Sequence, residues 1–270
     1  MNIRQKVIGK WQALNSLAEF IRYFSNWQEV WSAYRAGKPL PTLSLRDGGN
    51  SILIQHGSED DPIFLFREIF IERSYTPSWF YQPSGGDTVI DVGANIGMFM
   101  LYLVWRAPEI RVHCFEPGAK TRTRLEAQVQ ANCLDRTVSV YPHAISDKAG
   151  IATLKLSGNS GHQSFFASDF VGTKEEVVET LSLQDALEKC GVKEVNLLKI
   201  DVEGAEIEIL ESAPTAVWKR IQRVVCEYHD LLRPGCRERV MKVLAANGFD
   251  DIQVQSWSPT DSLGIIYAKR

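Results

Sequence analysis

The 270-residue sequence predicts an α/β fold, with a seven-stranded, mostly parallel sheet behind a helical N-terminal extension. Two observations carry the prediction. From Gly86 onward, short β-branched runs alternate with helical patterns, the signature of a parallel sheet covered on both faces. The last two runs are separated only by SWSPTDS-type turn residues, too few for a crossover helix, so the last strand should return antiparallel.

In chain order, Val7, Trp11, Leu14, Leu17, Ala18, Ile21 and Phe24 recur at three- and four-residue steps, which reads as an amphipathic helix. A further helical turn or two follows to about Tyr34, and GKPLPT breaks the pattern. Residues 51–55 read as a short strand. A helix is expected over 61–73, capped by Asp60 or Asp61 with Pro62 in its first turn. Four of the seven tryptophans (Trp11, Trp27, Trp31 and Trp79) fall in residues 1–80. That segment is expected to be an aromatic extension acting as a lid or as a homodimer contact, with residues 81–270 as the main domain. The strands expected there are TVIDV (88–92), RVHCFE (111–116), VSVYP (138–142), NLLKIDV (196–202), RVVCEYH (223–229), DIQV (251–254) and LGIIYAK (263–269). Helical patterns fill 97–106, 121–132, 182–190, 205–211 and 237–247. Residues 147–179 interrupt the alternation and read as a β-hairpin or loop beside the cleft.

The net charge of −3 argues against a nucleic-acid partner. Five widely spaced cysteines without a C-x-x-C pair speak against zinc and against a disulfide framework, and favour a reducing cytoplasmic setting. No run approaches 18 apolar residues, so no membrane span is expected.

The chemistry begins at VIDVGANIG, residues 89–97. A dinucleotide fingerprint would need G-x-G-x-x-G. Here Gly93, Ala94, Asn95, Ile96 and Gly97 lack the middle glycine, and Asp91 precedes the turn. A carboxylate at that place would repel a pyrophosphate but suit a cationic group. The spacing therefore favours S-adenosylmethionine, which carries an ammonium and a sulfonium, over a nicotinamide dinucleotide. Glu116, 19 positions beyond Gly97, ends the second strand of the main domain where a carboxylate accepts ribose hydroxyls. His143 and Ala144, after the next strand, are expected against the adenine. KIDVEGAE brings Asp201 and Glu203 to the carboxyl end of a later strand, and CEYHD brings Glu227, His229 and Asp230 to the same rim. These groups suit deprotonation of a substrate hydroxyl, with His229 the favoured base and Glu227 or Asp201 the alternatives. They also suit a divalent cation on Asp201 with Glu227 or His229, or a structural ion-pair network that includes Lys199. No D-P-P-Y-like tetrapeptide follows Asp201, which disfavours an exocyclic base amine as acceptor and favours oxygen.

The stretches DTVIDVGANIGMF, HCFEPGAKTRTRLEAQVQAN, HAISDKAG, ETLSLQDALEKCGVKEVNLLKIDVEGAEIEILESA and VVCEYH resemble the FkbM-type S-adenosylmethionine-dependent methyltransferases. The resemblance covers roughly residues 70–229, plus a weaker match of the C-terminal hairpin. It implies the Rossmann-like class I methyltransferase fold and O-methylation of a small-molecule hydroxyl, on a polyketide, glycoside, saccharide or other secondary metabolite. By the same resemblance Asp91, Gly93, Asn95, Glu116 and Asp201 would hold the donor. His162, within GNSGHQSF, departs from the small polar residues expected there. Two rival functions remain at this stage, an NAD-dependent oxidoreductase and a non-catalytic partner-binding protein that keeps the donor site.

Overall fold

A computed structural model describes residues 17–46, 52–58, 60–156, 163–164, 174–257 and 261–270. The chain divides into two compact units, Met1–Ser58 and Glu59–Arg270.

In the first unit, residues 17–23 are helical (α1) and α2 spans Trp27–Ala36. Gly37 ends α2 in the left-handed conformation (φ 61°), the usual role of a glycine just past a helix. A two-stranded antiparallel ribbon follows, β1 (Leu43–Leu45) with β2 (Ile52–Ile54). Phe20, Phe24, Val30, Leu43, Leu45 and Ile54 are buried. Phe20 meets the Trp31 and Tyr34 rings edge-on at 5.9 and 5.4 Å. The aromatic residues described here thus pack on one another, since large rings supply much burial per residue. The pattern positions Val7, Trp11 and Leu14 lie outside the described residues.

The second unit is built on a seven-stranded sheet in the order β12-β13-β11-β10-β3-β4-β5. Its strands are β3 (Thr88–Val92), β4 (Arg111–Phe115), β5 (Val138–Tyr141), β10 (Leu197–Ile200), β11 (Arg223–His229), β12 (Asp251–Ser256) and β13 (Leu263–Lys269). Only β13 runs against the common direction of the other six strands, as the short turn before it requires. β10 is buried at every position and β11 at all but its first, because helices cover both faces of a parallel sheet. Those helices are α4 (Met98–Arg106), α5 (Ala119–Ala131), α6 (Leu183–Lys189), α7 (Glu206–Ser212), α8 (Thr215–Trp218) and α9 (Cys236–Ala246). Ser182 and Asp185 form a capping box at the start of α6. All five cysteines are free, and no described helix is long and apolar enough to cross a membrane.

Three departures from the sequence reading position the site. The unit boundary lies at residues 58/59 rather than near residue 80. The reason is α3 (Pro62–Phe66) and the π-helical turn that continues it (Arg67–Ile71). Asp61 caps α3 through Phe64 N, with Pro62 in the first turn as expected. Phe70 then packs on Tyr102 and Trp105 of α4 at 5.4 and 5.7 Å. Second, His143 and Ala144 do not end β5 but open a strand of their own, β6 (His143–Ser146). Pro142 separates the two strands, has no N–H to give the ladder, and turns the chain out of the main sheet. Third, the interruption at 147–179 is more than a hairpin. β7 (Gly150–Leu156) pairs antiparallel with β9 (Lys174–Ser182), and with β6 and the short β8 (Gln163–Ser164) they form a second sheet. His162 lies outside the described residues.

The return of the chain from β5 to β10 makes the crevice beyond β3 and β10 the topological switch point, where open α/β sheets bind ligands. The two strand ends meet closely there. A Cβ on Gly93 (φ 77°) would lie 1.8 Å from the Asp201 carbonyl oxygen. Gly86 has a similar φ of 89°, but open space around it. Gly93→Ala should therefore cost about 3 kcal/mol or more, backbone strain and overlap together, against about 1–2 kcal/mol of strain for Gly86→Ala. Denaturant unfolding of the two variants checks the difference.

Candidate active site

β3 ends at Val92 and the chain turns back over the strand ends. Gly93 N and Ala94 N both donate to Phe115 O of β4. Asn95 takes a left-handed conformation (φ 51°), uncommon for a residue with a side chain, and its N–H donates to Glu116 Oε2 at 3.0 Å. Gly118 N donates to the other Glu116 oxygen at 2.9 Å. Each oxygen keeps a second lone pair, so the carboxylate can still accept two hydroxyls. Burial raises the Glu116 carboxyl, the two N–H donors pull it back, and it settles at about 7.

A narrow cleft opens over this turn, walled by Gly93, Asn95, Glu116, His143, Ala144 and Asp201 among others. The structure thus brings together most of the expected donor residues, including His143 and Ala144 from the second sheet. Ala94 and Asn95 line a second, larger cavity of about 840 Å³, which shares Gly93, Asn95, Asp201 and Glu203 with the first. Glu68 and Tyr75 line it from the segment before β3, Lys199 and Glu227 from the sheet, and Phe64 and Trp257 add aromatic surface.

Three residues expected at the site stand behind the cavity walls rather than on them. Asp91 lines neither cavity. It is fully buried, and Lys199 Nζ, from the neighbouring register position on β10, lies 3.2 Å from its Oδ1. The cation it faces here is the Lys199 ammonium. Gly97 also lines neither cavity. A Cβ there would stand 2.5 Å from Leu125 Cδ1 of α5, so this glycine serves helix packing. His229, the favoured base, is absent from both walls too. Its Nδ1 lies 2.9 Å from Glu206 Oε1, and its Nε2 lies 3.3 Å from Glu203 and 3.4 Å from Glu227. Burial pushes its pKa down, but the Glu206 and Glu227 carboxylates outweigh burial and hold it well above the ordinary value. Both ring nitrogens are already turned to acids of the protein rather than to the cavity where an acceptor would sit.

Glu227 is the member of this group that reaches the large cavity. Burial, and then the Asp201 carboxylate, raises it out of the usual carboxylate range. Glu68, on the π-helical turn, is raised to about 7 by burial and then by Asp201. Asp201 stands between two donors, Lys199 Nζ at 3.5 Å and the Tyr75 hydroxyl at 3.0 Å. Lys199 remains charged, because Asp91 and Asp201 outweigh the burial that would lower it. One ligand atom each from Asp201, Glu227 and His229 lies within 4.8 Å of the others, close enough to hold a cation. Lys199 and His229, however, already stand as the positive partners of the two acids.

Three site residues escape the sequence reading. Glu206 sits inside the quoted KIDVEGAE, but only the tertiary fold shows that it meets His229. Tyr75 and Glu68 lie ahead of the main alternation, and no periodicity ties them to strand ends more than a hundred residues later.

The methyltransferase FkbM domain matches residues 91–250. The chain is 32% identical over 245 residues to 31-O-demethyl-FK506 methyltransferase FkbM of Streptomyces tacrolimicus, a match covering 79% of this chain and 90% of that protein. It is 27% identical over 173 residues to hexuronic acid methyltransferase AglP of Haloferax volcanii, covering 63% and 67%. The solved structure of methyltransferase FkbM from Methylobacillus flagellatus KT superposes with a TM-score of 0.53 at 13% identity. That match covers 98% of this chain and 60% of the other, and it shows the shared fold. The fold is that of a Rossmann-like methyltransferase, and the chain belongs to the FkbM methyltransferase family.

The buried His229–Glu206 pair gives a stability prediction. His229→Ala leaves the Glu206 carboxylate buried without its cation and should cost about 3–5 kcal/mol. Adding Glu206→Gln should recover part of that loss. A raised folded pKa means that the histidine's contribution is complete below the ordinary imidazole pKa and fades as pH climbs through the raised value. The gap between wild type and His229→Ala, read from denaturant midpoints, should therefore narrow at alkaline pH.

Proposed function

We propose that this chain transfers a methyl group from S-adenosylmethionine to a hydroxyl oxygen of a small molecule, a secondary metabolite or saccharide. The observation that carries the reading is the opening of one cavity onto the β3–β10 turn and onto the raised carboxyl of Glu227 together. The donor, when bound, supplies an electrophilic methyl on a sulfonium. Glu116 would accept its ribose hydroxyls, and His143 and Ala144 would flank its adenine in the narrow cleft. Asp201, at the junction of the two cavities, would face its ammonium.

The protein's own share of the work is largely placement, since a held and aligned pair of reactants removes much of the barrier. Glu227 takes the hydroxyl proton as the oxygen attacks the methyl carbon, and a raised carboxylate is the stronger base for that step. His229 supports Glu227 as a fixed positive neighbour. Lys199 and His229 already supply the positive charge at the rim, so the reading needs no divalent cation. The printed names of relatives support oxygen as the acceptor atom: 31-O-demethyl-FK506 methyltransferase and, at 24% identity, the 2-O-methyltransferase NoeI of Sinorhizobium fredii. Family membership leaves no place for the oxidoreductase considered from sequence alone.

Glu227→Gln should lower turnover of a hydroxyl acceptor by about a hundredfold or more and leave S-adenosylhomocysteine binding within about twofold. Unchanged turnover would remove Glu227 from the base role. For Glu116, ribose hydroxyls bond the ionised form, so affinity should fall as pH drops below about 7 and approach a tenfold loss per unit. Calorimetric titration across pH 5.5 to 8.5 tests this, and Glu116→Gln should bind weakly with no such slope.

A further inference from the structure

Two aromatic rings on the wall of the large cavity leave much of their surface uncovered. α3 buries Pro62, Ile63 and Phe66, whereas Phe64 between them is 61% exposed and lines the cavity. Trp257 follows the edge strand β12, is 37% exposed and lines the same cavity. Its backbone N–H donates to Leu263 O at 2.9 Å, and Leu263 pairs with His229 across the sheet. Trp257 is thereby tied beside the strand end that carries Glu227. Uncovered rings on a cavity wall are apolar surface that a ligand can bury.

The polar part of the same wall is mostly acidic. Asp61, Glu68, Glu72, Asp201, Glu203 and Glu227 line it, with Lys199 and Arg67 as the bases among the described residues. Asp60, also on the wall, is engaged by Arg124 at 2.6 Å. Lys199 is held among Asp91, Asp201 and the Gly93 carbonyl oxygen, and Arg67 has interactions of its own. Carboxyl oxygens accept hydrogen bonds from hydroxyls, whereas a ligand anion placed among them meets like charge.

We propose that Phe64 and Trp257 are specificity-determining residues, and that the acceptor is an uncharged, pyranose-like ring with its C–H face on these two side chains and its hydroxyls toward the carboxyls. The inference rests on the reading of this cavity as the acceptor site, and it narrows the acceptor class. A pyranose ring carries both surfaces that the wall asks for. Its axial C–H groups make an apolar face, which suits the electron-rich face of an aromatic ring. Its hydroxyls make a polar edge. A wholly apolar acceptor would cover the carboxyls without bonding them, at a desolvation cost. A uronate or a sugar phosphate would bring its anion to a wall whose Lys199 is already engaged. Glu72, exposed and just past the π-helical turn, lies on this wall but has no part in donor binding or proton transfer. It is the place where the wall's charge can be changed without touching the chemistry.

The test uses the full chain saturated with S-adenosylhomocysteine and two probes that differ at one carbon, methyl β-D-glucopyranoside and methyl β-D-glucuronide, with binding followed by ligand-observed NMR titration. The neutral glycoside should bind at least about tenfold more tightly than the uronate. Glu72→Lys should cut that preference by about threefold or more and change the neutral glycoside's affinity little. Phe64→Ala and Trp257→Ala should each weaken the neutral glycoside by about fivefold, the loss of a modest buried apolar area. Both rings are exposed enough for the fold to tolerate their removal, and S-adenosylhomocysteine affinity, measured by calorimetry, should stay unchanged in all three variants. Equal or reversed preference for the uronate, unchanged affinity in both aromatic variants, or no binding of either glycoside overturns the assignment. Absence of S-adenosylhomocysteine binding to the wild type would instead sink the functional reading, and the glycosides titrated into the free chain tell the two failures apart.

Discussion

One buried ammonium organises this site. Lys199 Nζ lies 3.2 Å from Asp91, 3.5 Å from Asp201 and 2.7 Å from the Gly93 carbonyl oxygen. It thereby joins the middle of β3, the turn after β3 and the end of β10 through a single atom. An isolated buried charge is very costly, so such a group persists only where its partners are fixed. The fixed partners are also what hold the turn against the Asp201 backbone, at a separation that only glycine tolerates. The central charge of the crevice floor is thus shared among partners from three segments of the chain.

A second charge system sits beside the first and carries a larger acid excess. His229 meets Glu206, Glu203 and Glu227, three acids about one imidazole. Burial first, and then the Asp201 carboxylate, raises Glu227 and Glu68, the two carboxyls that open onto the large cavity. Two left-handed residues that carry side chains, Asn95 and Glu203, lie on the loops that frame this rim. Backbone strain of this kind gathers where a site over-determines its geometry.

The main sheet was legible in the sequence because its strands are short, β-branched and separated by well-marked helices. The antiparallel return of β13 followed from a turn too short for a crossover. β6 was misplaced because the apolar run continues through Pro142, and only the missing N–H reveals the change of sheet. Among the expected site residues, Glu116, His143, Ala144 and Asp201 line the narrow cleft, the histidine and alanine from a strand the sequence did not reveal. Asp91, Gly97 and His229 lie in the same neighbourhood but face Lys199, Leu125 and Glu206. Sequence order tells which strand end a side chain reaches, whereas burial and the identity of the opposing charge depend on register, as with Asp91 beside Lys199. Tyr75 and Glu206 needed contacts across 126 and 23 residues respectively, and no local pattern encodes those.

The π-helical turn at Arg67–Ile71 has a consequence for how this cavity can be altered. Such a turn holds one residue more than the α-helical ladder around it, so everything after it is rotated by about 100° from the regular path. Glu68 lies within that turn and Tyr75 just beyond it, both on the cavity wall. What this wall presents to an acceptor is therefore set by residue count as well as by residue type. Losing a single residue here would swing the acidic and aromatic groups away together, while the floor beneath them stayed intact.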